Sequence, residues 1–231
     1  MSSNNANSCI LCNSKASCFY SLNQEELGAA EMNRVEILYR KGEILAKQGN
    51  FYTHIIYLQE GMVKVYKELS DGSSLILNIF KKGSLIGLPF LFNNQQVLDY
   101  SVSAIMDSVV CAIDRKTVEK LISENSQFAS KVVGILNQCT LYNYDRIVSL
   151  THKQLNGRFA DTLLFLSKNI YESDDFKLTL SRKDLAEYTG VSVMSIIRAI
   201  KDFKTDGIIN VNGNHIEILK PEMLETISRT G

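Results

Sequence analysis

The chain of 231 residues has no excess of charge of either sign, because 25 basic residues balance 25 acidic ones. No overall field therefore draws it to nucleic acid or to an anionic surface, and any basic surface has to be local. It also lacks a long hydrophobic run. The longest near-apolar stretch, Leu85 to Phe92, is interrupted by Gly87 and Pro89 and is far shorter than the roughly 20 residues that a membrane span needs. The opening Met1-Ser2-Ser3-Asn4-Asn5-Ala6-Asn7 is polar and uncharged, without the basic and apolar regions of a secretory signal. Together these absences lead to the expectation of a cytoplasmic protein with no membrane partner. Histidine is scarce as well. His54, His152 and His215 lie in three separate segments with no metal-triad spacing, and no Ser-His-Asp or paired-carboxylate arrangement accompanies them. A cupin-like metalloenzyme is poorly supported, and the chain is not expected to be an enzyme.

What is present is an apolar fraction of 45%, ordinary for a globular protein and enough for one large domain or two modest ones. Five cysteines is an odd number. In a reducing compartment, cysteines clustered in sequence point to a metal or redox site before disulfides.

From about Val35 to Ile113 short apolar segments alternate with glycines and polar turns. Ile44 to Lys47, His54 to Gln59, Met62 to Lys67 and Leu75 to Phe80 read as strands, broken at Gly42, Gly49, Gly61, Gly72, Gly83 and Gly87. Asp71-Gly72 is a hairpin signal, since both residues tolerate positive φ. Strands at this spacing suggest an antiparallel sandwich or barrel.

From about Arg115 the period becomes helical and stays so past Leu150. Phe128, Val132, Ile135, Cys139 and Tyr142 form one stripe, expected to lie on the chain's own β-domain. Ala129, Val133, Leu136, Thr140, Asn143, Ile147 and Leu150 form a second with the a/d spacing of a coiled coil, which reads as a homodimer seam. A single wide core face is the alternative. Cys139, on the inner stripe, reads as a small core residue.

Near the C-terminus, Ser181 can cap a helix start and Asp184, three on, can return the bond. That helix carries Leu185 and Ala186 and breaks at Gly190. Ser192 then caps a second helix through Ile196, Ile197, Ile200 and Phe203 until Gly207. A small residue with a glycine four later is what two helices need to cross over a tight turn. Ile208 to Val211 and His215 to Leu219 flank Asn212-Gly213, which reads as the two-residue turn of a wing. Between Lys177 and Lys204 six basic residues face three acidic ones. This local excess suits double-stranded DNA, with Ser181, Arg182, Ser192, Met194, Ser195, Ile197, Arg198 and Lys201 as candidate contacts. Arg198 is the best candidate base reader, because a guanidinium reaches guanine O6 and N7 together; a phosphate contact or surface ion pair is its alternative.

The α+β layout (antiparallel β-roll, long dimerisation helix, C-terminal winged helix-turn-helix) resembles the Crp/Fnr regulators over nearly the whole chain. The segment from Leu178 to Arg198 is similar to that family's DNA-binding signature. The expected divisions are a cysteine-bearing segment at 1–20, a β-roll of the cyclic-nucleotide-binding-like jelly-roll type at 21–120, a dimerisation helix at 121–150 and a DNA-binding domain at 151–231. The resemblance implies a homodimer on a pseudopalindromic site, with RNA polymerase as a further partner. Cys9, Cys12 and Cys18 form C-x2-C-x5-C, and with Cys111 in Ser-Val-Val-Cys-Ala-Ile they resemble the set that holds a 4Fe-4S cluster in the Fnr branch. Four thiolates are what such a cluster requires. A structural zinc or a thiol switch are the competing uses of these cysteines, and haem or a small ligand in the β-domain, with His54 and Met62 as possible haem ligands, is a further alternative. The cyclic-nucleotide branch resembles a Gly-Glu segment followed by an Arg-Ser or Arg-Thr pair. Here Gly83 precedes Ser84, and Asn93 to Ala104 holds no arginine, so no cAMP is expected. Against the Glu, Ser, Arg reading set that Fnr-like proteins resemble, this chain has Met194, Ile197 and Arg198, which implies an altered half-site.

Overall fold

The computed structural model describes residues 15–92 and 97–231. It divides into two compact units, one made of the chain up to Lys64 with Phe80–Thr140, the other of Val65–Ile79 with Leu141–Gly231.

A short 3-10 turn, Ser17–Ser21, leads into α1 (Gln24–Met32). Asn23 and Glu26 form a reciprocal capping box there, satisfying backbone N–H groups that the first helical turn leaves without partners. Eight strands follow: β1 (Arg34–Tyr39), β2 (Ile44–Ala46), β3 (His54–Glu60), β4 (Met62–Glu68), β5 (Ser74–Lys81), β6 (Leu85–Ile86), β7 (Ser101–Ala104) and β8 (Ser108–Asp114). They make two four-stranded sheets in the orders β1-β8-β3-β6 and β2-β7-β4-β5, the β-roll that the alternating pattern leads one to expect. Cys111 on β8 stands opposite Glu36 on one side and Tyr57 on the other.

Two turns differ in detail from the expectation. At Asp71-Gly72 only Gly72 takes a positive φ, of 80°. Asp71 instead uses its carboxylate to accept from the Ser73 N–H at 2.9 Å, so the pair closes the loop through an Asx turn. In the wing, Asn212 pairs with His215, which moves the two-residue turn one position on, to Gly213-Asn214. Gly213 alone has positive φ there, as a type II′ turn requires.

The helical stretch after β8 is also not continuous. It breaks between α2 (Arg115–Glu124) and α3 (Ser126–His152) at Asn125, whose side-chain oxygen accepts from the Phe128 N–H and caps the long helix. On α3, Phe128 and Val132 are buried and join the core formed by Phe19, Leu22, Leu27, Tyr57, Leu121 and their neighbours. The inner stripe does not stay with that core. Farther along, Tyr142 packs on Phe165 with ring centroids 5.2 Å apart.

The remaining elements are α4 (Leu155–Phe165), continued by a π-helical turn at Leu166–Tyr171, then β9 (Asp175–Lys177), α5 (Arg182–Thr189), α6 (Val193–Thr205), β10 (Ile209–Asn212), β11 (His215–Ile218) and α7 (Pro221–Thr230). β9 adds to the wing as a third strand, in the order β10-β11-β9. Among the described residues no helix is long and apolar enough to cross a membrane.

Candidate nucleic-acid interface and cysteine site

The two helices expected to read DNA are set by their caps. Ser181 accepts from the Asp184 N–H at 3.0 Å while Asp184 accepts from the Ser181 N–H at 2.9 Å. Gly190 ends α5 with φ 70°, and Ser192 caps α6 by accepting from the Ser195 N–H at 3.1 Å. Leu185, Ala186, Tyr188 and Thr189 of α5 and Ile196, Ala199, Ile200 and Phe203 of α6 are buried, which leaves α6 one outward face. Tyr188 fixes α5 from below. Its hydroxyl is hydrogen-bonded to that of Tyr142, and the Arg146 guanidinium lies 4.0 Å from its ring centroid while donating to its carbonyl oxygen at 2.6 Å. Burial pushes the Tyr188 phenol well above its ordinary range, so it stays neutral.

The outward face of α6 carries Met194, 72% exposed, Ile197, 46% exposed, and Arg198 and Lys201 beyond them. Neither the Arg198 nor the Lys201 side chain has a hydrogen-bond or ion-pair partner among the described residues. Other expected contacts are already engaged. Arg182 is half-buried and donates to the Gly213 carbonyl at 3.2 Å, bracing the wing. The Ser181, Ser192 and Ser195 hydroxyls are committed to the caps. Lys204, outside the expected set, donates to the Val211 carbonyl at 2.7 Å and ties α6 to β10.

On α3, Val133, Thr140, Asn143 and Ile147 of the expected dimer seam are exposed, whereas Ala129, Leu136 and Leu150 are half-buried. The exposed apolar surface also takes in Leu141, Tyr144 and Val148. The heptad count passes over them because it follows one line of residues, whereas the surface spans two adjacent lines.

Of the four cysteines expected to act together, Cys9 and Cys12 lie outside the described residues. Cys18 and Cys111, far apart in sequence, belong to one buried core. The 3-10 turn places Cys18 fully out of solvent and seats the adjacent Phe19 edge-on against Phe128 of α3, with centroids 5.5 Å apart. Burial pushes the Cys18 thiol up to about 11. A bound metal reverses that preference, since a coordinating thiol is deprotonated outright. Cys111 receives an N–H from Arg34, Nη1 to Sγ 3.3 Å, and donates to the Gln59 side-chain oxygen at 3.4 Å. Buried sulfur beside a cationic donor fits an anionic, thiolate-ligated group. Among the described residues no three His, Cys, Asp or Glu side chains meet in a metal-holding group. Cys139 is half-buried on α3, partly exposed where a core position was expected.

Inside the β-roll lies a cavity of about 320 Å³, lined by Tyr39, Tyr52, Tyr100, Val102, Lys47 and His54 among others. Among the described residues that line it there is no arginine.

Residues 36–125 match the family of cyclic nucleotide-binding domains, and residues 157–227 match that of Crp-like helix-turn-helix domains. The chain is 25% identical over 215 residues to the fumarate and nitrate reduction regulatory protein of Yersinia pestis, covering 90% of this chain and 85% of that one. It is 24% identical over 213 residues to the transcriptional activator protein Anr of Pseudomonas protegens, covering 88% and 85%. Among solved structures it resembles FixK2 from Bradyrhizobium japonicum, with a TM-score of 0.78 at 24% identity over 86% of this chain and 98% of that one.

Proposed function

For this chain, which belongs to the Crp/Fnr family of DNA-binding transcription regulators, we propose a homodimer whose hold on DNA is set by oxygen or redox state through a 4Fe-4S cluster on Cys9, Cys12, Cys18 and Cys111. The observation that carries this reading is that Cys18 and Cys111, far apart in sequence, are both buried in the one core that includes Phe128 of α3. The cluster, when bound, supplies a redox-sensitive crosslink among its four thiolates. The chain's residues do the rest. Cys18 draws the amino-terminal segment onto the core, Phe19 presses on Phe128, and α3 is thereby held in the form that pairs with a second copy through Val133, Leu141, Tyr144 and Ile147. Pairing sets two α6 helices about 34 Å apart, one turn of duplex DNA. On each, Arg198 reads guanine, while Met194 and Ile197 meet thymine methyl groups.

Cyclic nucleotide is not part of this reading. A buried phosphate asks for a bidentate cationic anchor, and among the described residues no arginine lines the β-roll cavity. The cavity's size and aromatic lining favour, as a second reading, a small apolar effector in its place.

The test is anaerobic reconstitution of the full chain with iron and sulfide. About four of each per chain and a brown chromophore are expected. A colourless protein that binds DNA normally defeats the proposal.

A further inference from the structure

Cys111 sits on β8, the second strand of the sheet β1-β8-β3-β6, with β1 and β3 on its two sides. Side chains two apart on a strand share a face, so Arg34 and Glu36 flank Cys111 from β1; on β3 Tyr57 stands directly opposite, and Gln59, at a register shift between Leu58 and Glu60, reaches the sulfur beside it. Two of these neighbours reach the sulfur itself. Arg34 donates from Nη1 at 3.3 Å and Gln59 stands at 3.4 Å. Arg34 is ion-paired at 3.7 Å with Glu36, the residue opposite Cys111 on β1, and its side chain is only 11% exposed, so water screens its charge little at the sulfur.

We propose that Arg34 and Gln59 are positioning residues that clamp the Cys111 sulfur from both sides and, by donating N–H bonds to it, stabilise the more reduced state of the group it ligates. The assignment rests on the cluster reading above. In the thiol form Cys111 donates to the Gln59 oxygen. As a ligating thiolate it can only accept, and a rotation of the Gln59 amide presents the N–H₂ group instead. Arg34 needs no adjustment, because all five of its N–H groups are donors in either state. Hydrogen bonds and positive charge at a ligating sulfur withdraw electron density from it, which favours the reduced cluster and raises its midpoint potential. The charged donor contributes more than the neutral amide.

The experiment is an anaerobic mediator titration of the reconstituted full chain, wild type against Arg34→Met and Gln59→Leu, followed in the visible spectrum with iron and sulfide analysed alongside. Arg34→Met is expected to shift the reduction equilibrium about tenfold against the reduced state, a fall of about 59 mV for a one-electron couple. Gln59→Leu is expected to shift it about threefold in the same direction. A wild-type chain that takes up no iron and sulfide defeats the cluster reading itself, before any variant is made. If the wild type is loaded, the clamp is overturned when either variant that holds the cluster keeps the wild-type midpoint. Gln59 is half-buried near the end of its strand, so its variant decides the matter even if Arg34→Met does not fold.

Discussion

Replacing Arg198 by alanine separates reading of a base from binding of a phosphate. Arg198 is exposed on the second turn of α6 and its side chain has no partner among the described residues, so its removal leaves the fold as it was. The whole effect then falls on DNA. A bidentate contact to guanine is worth about 1–3 kcal/mol of discrimination, and a dimer loses it twice, about 2–6 kcal/mol in all. At about 1.4 kcal/mol per tenfold, affinity for the preferred site drops at least thirtyfold, while binding to unrelated duplex barely changes. The assay is fluorescence anisotropy on a selected site and on a variant changed at one guanine in each half, across a series of salt concentrations. Arg198→Ala is expected to erase the preference between the two duplexes. A uniform loss on both, with the preference intact and the salt slope shallower by about 2, would refute base reading and make Arg198 a phosphate contact. Lys201→Ala is expected to give that second pattern.

Two further changes test the frame that presents α6. Gly61, between β3 and β4, has φ 95°, and a Cβ there would lie 2.7 Å from both the Asp107 carbonyl oxygen and the Ser108 Cα. Gly61→Ala is therefore expected to cost about 3 kcal/mol by combining left-handed strain with a backbone clash, read as a fall in the urea midpoint. Ile147→Glu, at a position 57% exposed on α3, is expected to turn the cluster-loaded dimer into a folded monomer by analytical ultracentrifugation. A dimer of wild-type stability would place the seam elsewhere.

The features legible in the sequence were those carried by local chemistry. The capping box at Ser181 and Asp184, the break at Gly190 and the strands of the roll depend on residues close in the chain, and each stands within a residue or two of its expected place. What escaped was whatever a distant partner decides. Asn125 interrupts the helical period because its side chain caps α3 and donates to Glu26 and Ser21, a choice invisible to periodicity. The Asn212-Gly213 pair is a strong turn signal, yet β9 and the pairing of Ile216 with Phe176 hold β11 in a register that moves the turn on by one. Among the expected DNA contacts, exposure on α6 follows from the helical period, whereas the diversion of Arg182 to the Gly213 carbonyl needs the folded wing. The same holds at the cysteines. Cys18 and Cys111 stand out by type and spacing, but Arg34 and Gln59 become visible only once β1, β8 and β3 are side by side.

The central claim is that the cysteine-held group governs DNA binding through pairing of two chains. It is tested most directly by measuring affinity of the anaerobically loaded full chain for a pseudopalindromic duplex selected from a random pool, before and after exposure to air. Tight binding as a dimer that weakens at least tenfold on air exposure, in step with loss of the chromophore, is the result predicted here. Equal affinity in the loaded and air-exposed states would contradict it.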